Sequence, residues 1–273
     1  MFTNTKCLIK ACIELNINYD LIEKSNFLTI KIKSKPFYFI NNAVPINSHI
    51  DAIISQDKDF TYKVLKDSIR LPKTSSYMDP NCQDKYREYL SYYSQLEILD
   101  NIIQKFKLPL IIKRNKGSIG NNVFLCKNSD EISDSINTIF NQKSKDYDYL
   151  LLAQEYIPIF KEFRVIVLNK RVELVYEKNN SNATFLGNLS PLHFIGAKTI
   201  KQTDSELLNK IQEFINLIFE KINIPYFGAD IAIDKEKNLW LIEINSKPGF
   251  EHYVKDNGEK DIIELYKKLL KCI

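Results

Sequence analysis

Two carboxylates and an amide in the C-terminal third, Asp230, Glu243 and Asn245, have the types and spacing to hold a divalent cation. They lie in FGADIAIDKEKNLWLIEINSKPGF, residues 227–250, where two apolar runs flank a polar turn. If Asp234 and Leu239 flank a four-residue loop, Lys235 to Asn238, then Asp230 falls opposite Glu243 in the hairpin. Side chains alternate along a strand, so Asn245 shares their face. Facing carboxylates repel, and a cation between them removes the repulsion; an all-oxygen set suits magnesium or manganese. Two other readings stay open for the same residues: solvated acids on a hairpin edge, and a general acid and base pair.

A second group lies upstream. In KRNKGSIGNN, residues 113–122, Gly117 and Gly120 let the backbone of a loop with Ser118 approach an anion, and Lys113 sits where a strand ends. The GK[ST] ending of a Walker loop is missing and no helix follows directly. An ordinary glycine-bearing hairpin turn is the other reading.

The elements that must position these residues can be read from periodicity. Short apolar segments, Phe27 to Ile32 and Phe37 to Ile40, follow a first helix and predict a small α/β lobe over residues 1–54. Ser55 to Ile69 has helical spacing, with Ser55 or Asp57 able to cap it and Pro72 to end it. Residues 96–106 predict another helix. Leu108 to Ile112 and Val123 to Cys126 predict a hairpin lid, followed by a helix capped by Ser129 and a buried strand over Tyr149 to Ala153. The last third predicts two hairpins, Phe163 to Leu168 with Val172 to Tyr176 and Phe227 to Asp234 with Leu239 to Asn245, around an amphipathic helix from Leu207 to Phe219. The fold class is therefore α+β with antiparallel sheets.

The bulk numbers agree with a globular protein of one large unit or a few small lobes: 273 residues, 44% of them hydrophobic. With 38 basic against 34 acidic residues the net charge is +4, too small to point to nucleic acid. Five scattered cysteines, Cys7, Cys12, Cys82, Cys126 and Cys272, form no CxxC pair and suit reduced thiols in a cytoplasmic protein. No apolar run reaches the length of a membrane span or of a secretory segment, so a soluble, unprocessed chain is expected.

The order of Lys58, Lys113 with its glycine loop, QEYI at 154–157, Arg164, Asp230 and ExN at 243–245 resembles the ATP-grasp superfamily, over residues 55–273. QEYI, Arg164 and EINSKPGFEHY are most similar to the RimK-like ligases. The resemblance implies an ATP-grasp fold with a small N-terminal lobe (1–54), linker helices and a lid subdomain (55–157) and a C-terminal catalytic subdomain (158–273). It implies an ATP-dependent carboxylate–amine ligase that forms an amide through an acyl phosphate, using ATP and Mg2+ or Mn2+. Its partners would be an amino acid, peptide or protein acceptor, without nucleic acid or membrane, and a homo-oligomer is left open. By position, Lys113 and Lys58 would contact phosphates. Gln154 and the backbones of Glu155 and Ile157 would meet adenine, with Tyr156 also in the ATP site, Glu162 would hold the ribose, and Arg164 would face the transferring phosphoryl group. Asp230, Glu243 and Asn245 would be the metal ligands. Residues 187–200, GNLSPLHFIGAKTI, keep only Asn188 of the RSN and RGG signatures of such ligases, with His193 and Lys198 near the missing arginines. A nucleotide-binding regulator or scaffold of the same fold, without ligase activity, is the alternative that this departure raises.

Overall fold

The computed structural model describes the chain apart from residues 24, 118–119, 182–191 and 193–194. An N-terminal segment carries α1 (Thr3–Glu14), then β1 (Tyr19–Ile22), β2 (Phe27–Ile32) and β3 (Lys35–Ile40), which pair in order as an antiparallel sheet. Two short helices follow, α2 (His49–Gln56) and α3 (Lys58–Leu65). The single helix expected over 55–69 is thus split at Asp57, which closes α2 and caps α3 by accepting from the Phe60 amide.

The lid subdomain contains β4 (Thr74–Met78), α4 (Gln95–Lys105), β5 (Leu110–Arg114), β6 (Val123–Cys126), α5 (Ser129–Ile139) and β7 (Leu150–Glu155). Its sheet has the order β4-β7-β5-β6, all antiparallel. The cap of α5 is Asn128, whose side chain accepts from the Glu131 amide, rather than Ser129. Helices α4 and α5 bury Ile98, Ile102, Ile132 and Ile136 against Leu110 and Ile112, giving the lid a core of its own.

The third sheet contains β8 (Ile159–Leu168), β9 (Arg171–Asn179), β10 (Lys198–Lys201), β11 (Tyr226–Asp234) and β12 (Leu239–Asn245), with α6 (Ser205–Asn216) between β10 and β11. The chain ends in α7 (Glu251–Asn257) and α8 (Lys260–Leu270). The order β10-β9-β8-β11-β12 joins the two expected hairpins edge to edge through β8 and β11. Apolar side chains cover both faces. Phe163, Val165, Phe227, Ala229 and Ile231 meet Ile211 and Ile215 of α6 on one side. On the other, Ile166, Leu174, Tyr176 and Tyr226 share a core with α8 and with Cys7, Leu8 and Ala11 of α1. The N-terminal segment is therefore built into the core of the five-stranded sheet.

The hairpin of β11 and β12 has a finer register than its loop length implies. Ile233, not Asp234, pairs with Leu239, because Asp234 turns inward to accept from the Asn238 amide and the Trp240 indole. A bulge then leaves Ile242 without a partner and brings Asp230 opposite Glu243. The bulge also flips the alternation. Leu239 and Leu241 enter the core under α6, while Glu243 and Asn245, of the same parity, lie on the other face.

Candidate active site

Glu243 stands at one end of a file that crosses four strands. In register, Tyr176 of β9 faces Arg164 of β8, Arg164 faces Asp230 of β11, and Asp230 faces Glu243 of β12. Arg164 donates from Nε to Asp230 Oδ1 and from Nη2 to Oδ2 at 3.1 Å, a forked pair that fixes both groups. Lys178 Nζ reaches Asp230 Oδ2 at 2.8 Å and also donates to Glu162. At the cavity end, Glu243 Oε1 accepts from Asn245 Nδ2 at 2.8 Å and Oε2 lies 3.8 Å from Lys58 Nζ. Three carboxylates thus share one small region with two buried cations and a third at its edge.

Burial and charge act against each other here. Burial raises the Asp230 carboxyl, but Arg164 and Lys178 outweigh it and hold the pKa down at about 2. Glu162 is raised, first by burial, with Lys178 opposing. Burial works against the charge of Lys178 and Arg164, yet their carboxylate neighbours more than compensate and keep both protonated. Gly228 makes room for the fork: a Cβ there would lie 3.3 Å from Arg164 Cδ and 3.0 Å from Pro248 Cβ.

The lid supplies the opposing wall. Lys113 is buried on β5 and donates to Gln154 Oε1 at 2.9 Å, while Gln154 Nε2 donates to Thr74 Oγ1 at 2.8 Å. Burial, then Lys58, lower the Lys113 pKa to about 8, with Glu243 acting the other way. Lys58, at the first position of α3, donates to the Gly117 carbonyl at 2.8 Å. Between the lid sheet and β12 lies a cavity of about 590 Å³ whose lining includes Lys58, Lys113, Gly117, Gln154, Glu243 and Asn245. That volume is within the range of small-molecule sites.

Six residues picked from widely separated motifs therefore meet around one space. Arg164 and Asp230 lie in the file beside it, and Glu162 next to that file through Lys178, rather than among the lining residues. The Glu155 side chain turns to the Lys73 amide, Tyr156 and Ile157 form the hinge between β7 and β8, and Gly120 has the left-handed backbone of a turn at φ 69°. Ser118, Asn188 and His193 lie outside the described residues. Among the described residues no three His, Cys, Asp or Glu side chains are grouped to hold a metal. Of the three expected ligands, Glu243 and Asn245 line the cavity and could meet a cation there with oxygens from a ligand, whereas both oxygens of Asp230 are taken by Arg164 and Lys178, so Asp230 would have to exchange one of these partners to join them. That all-oxygen donor set fits a hard divalent ion. Lys178 escapes the sequence reading because that reading ends β9 at Tyr176. Its signal is the period of two from Tyr176, which puts both on one face.

A family model described as a RimK-like ATP-grasp domain matches residues 83–273. The chain belongs to the RimK-like ATP-grasp family. Its relatives include an uncharacterised protein of Mycoplasma genitalium, 26% identical over 227 residues that span 82% of this chain and 70% of the relative. An alpha-aminoadipate–LysW ligase of Saccharolobus solfataricus is 26% identical over 222 residues, 78% of this chain and 69% of its own. In structure, the D-alanine–D-alanine ligase of Bacillus anthracis covers 82% of this chain and 67% of its own with a TM-score of 0.57 at 18% identity. The expected ATP-grasp fold is borne out. The matched RimK-like stretch contains Lys113, Gln154, Arg164, Lys178, Asp230 and Glu243, while Lys58 precedes it.

Proposed function

We propose that this RimK-like ATP-grasp protein is an ATP-dependent carboxylate–amine ligase that forms an amide bond through an acyl phosphate. The reading is carried by one observation: the Arg164, Asp230 and Glu243 file ends at the same cavity that Lys58 and Lys113 line. Lys113 from the lid sheet, Lys58 from the start of α3 and Glu243 of β12 around one cavity suit a polyphosphate held with a divalent cation. Asp230, Glu243 and Asn245 would hold magnesium or manganese, the amide turning its oxygen inward. When bound, the ion neutralises charge on the phosphate oxygens.

The chain's own groups supply positioning and fixed charge. Lys113 and Lys58 would face the phosphates, Gln154 with the backbones of Glu155 and Ile157 would read adenine, and Glu162, set by Lys178, would reach the ribose. Arg164, oriented by its fork to Asp230, would stabilise the transferring phosphoryl group without reorganising. A substrate carboxylate oxygen attacks the γ-phosphorus, the bond to ADP breaks, and an amine then displaces phosphate from the acyl carbon. The products are ADP, phosphate and an amide. No enzyme nucleophile is needed.

The acceptor is an amino acid, a peptide or a protein. The test is a screen of these for acceptor-dependent phosphate release with ATP, followed by mass analysis. A product heavier than one substrate by the other, less water, is expected. ATP binding with no acceptor-dependent ADP release for any candidate would favour a nucleotide-binding regulator instead.

A further inference from the structure

Asn115 carries a contact that neither the metal file nor the nucleotide pocket requires. It follows β5 directly, is fully buried, and its amide nitrogen donates to the Leu150 carbonyl at the start of β7, so its backbone belongs to the lid sheet. Its side chain leaves the lid. Nδ2 donates to Asp57 Oδ2 at 2.7 Å, and Oδ1 accepts from the Asp59 amide at 2.9 Å. Asp57 is buried too, and its other oxygen caps α3 by accepting from the Phe60 amide at 3.0 Å. One carboxamide thus grips both sides of the first residue of α3, which is Lys58.

The consequence is geometric. Helix α3 packs through Leu65 in the core beneath α6, on the side of the five-stranded sheet, whereas the Asn115 backbone is bonded to β7 of the lid sheet. The covalent link between these two bodies from β7 to β8 is the hinge at residues 156–158. The chain also passes from α3 into β4 through residues 66–73, and the Asn115 clamp adds a side-chain attachment at the end of the cavity where Lys58 and Gly117 lie. Lys58 then donates to the Gly117 carbonyl at 2.8 Å and stands 3.8 Å from Glu243. A buried amide with both of its polar ends satisfied holds its partners firmly, because opening the clamp strands a carboxylate oxygen and a backbone amide.

We infer that Asn115 is a positioning residue that locks the lid sheet to the start of α3 and so sets Lys58 and the Gly117 loop for nucleotide. This rests on the ligase reading above. Asn115 itself is not among the residues lining the cavity.

The hydrogen bonds define a decisive swap. Asn115→Asp sets two buried carboxylates against each other. Asp57→Asn sets an amide against an amide. With both changes, the new amide at position 57 would donate to the new carboxylate at position 115 and still cap α3 through its oxygen. That carboxylate would still accept from the Asp59 amide. Every bond of the clamp is restored, the one between the two side chains with donor and acceptor exchanged. Two quantities are read on the full chain: the affinity for a fluorescent non-hydrolysable ATP analogue with magnesium, and the initial rate of tryptic cleavage after the exposed Lys116. Asn115→Asp should weaken the nucleotide and speed cleavage by at least about tenfold each, and the double variant should return both to within about threefold of wild type. If Asn115→Asp does not yield folded protein, Asp57→Asn supplies the same comparison with the double variant. Wild-type affinity in the folded single variants, or losses in the double that add rather than cancel, overturns the inference. A wild-type chain that binds no nucleotide overturns the ligase reading as well, and the cleavage rates then report a clamp of structural use alone.

Discussion

At the scale of single residues, Lys178 and Asp230 illustrate how dependent the site is on complete pairing. Lys178 is buried between two carboxylates, and removing it leaves Asp230 with Arg164 alone and Glu162 without its cation. Breaking a buried charge pair on one side costs about 3–5 kcal/mol. Lys178→Met should therefore lower unfolding stability by about that amount in urea titrations, and adding Glu162→Gln should recover part of it; an unchanged midpoint would contradict the described pairing. Lys113 gives a prediction in pH. Its pKa of about 8 in the free protein reflects burial and Lys58, and a bound triphosphate must raise it. Binding then takes up a proton above pH 8. ATP affinity should be flat below about pH 8 and weaken by up to about tenfold per unit above it, as read by titration calorimetry, whereas Lys113→Arg should flatten the profile. The residue types are legible in the sequence because Asp230, Glu243 and Asn245 fall in one hairpin. The partners of Asp230 are less so. Arg164 is placed only by resemblance, since strand order across β8 and β11 is not written in either strand, and Lys178 lies beyond the expected end of β9.

At the scale of elements, the bulge at Ile242 decides which face the carboxylates take. An unbroken β12 would put Leu239 and Glu243 on one face and force a choice between burying a charge and exposing a core leucine. Loop length alone puts Asp230 opposite Glu243 but one residue out of step at the turn, so the sequence reading reaches the right pair through two shifts that cancel. The side-chain bonds of Asp234 that cause the first shift depend on Trp240, which no periodicity flags. Gly228 on β11 tests the same element from the other side. Gly228→Ala would set a methyl group 3.0 Å from Pro248 Cβ and 3.3 Å from Arg164 Cδ. A small-to-large change of this kind costs about 1–3 kcal/mol. We expect that loss together with a drop in turnover larger than any change in ATP affinity, because Arg164 must shift. Steady-state kinetics with the two constants resolved checks it, and wild-type kinetics would show that the fork tolerates displacement.

At the scale of the whole molecule, the lid has its own core, but the N-terminal segment does not. Helix α1 packs against α8 around Leu8, Ala11, Ile262 and Leu269, and Asn4 grips the turn after β12 through the Pro248 carbonyl and the Phe250 amide. Asn47 likewise bonds both polar groups of the Tyr226 backbone at the head of β11. A lobe boundary near residue 54 follows from a change of periodicity, which reports local elements and carries no information on which core they enter. A chain beginning at residue 55 should expose the apolar face of α8 and lose cooperative unfolding, seen as dye binding and a broadened calorimetric transition. A sharp transition for that chain would mean the first segment is dispensable to the catalytic sheet.

In the proposed ligase, Glu243, brought opposite Asp230 by the bulge and set beside Lys58 at the cavity, holds the cation that ATP turnover needs. Acceptor-dependent, magnesium-dependent ADP formation by Glu243→Ala, measured beside wild type with melting temperatures recorded for both, tests it most directly. Turnover should fall by at least about a hundredfold with the melting temperature little changed, the size expected when a group acting on transition-state charge is removed. Wild-type turnover in that variant would contradict it.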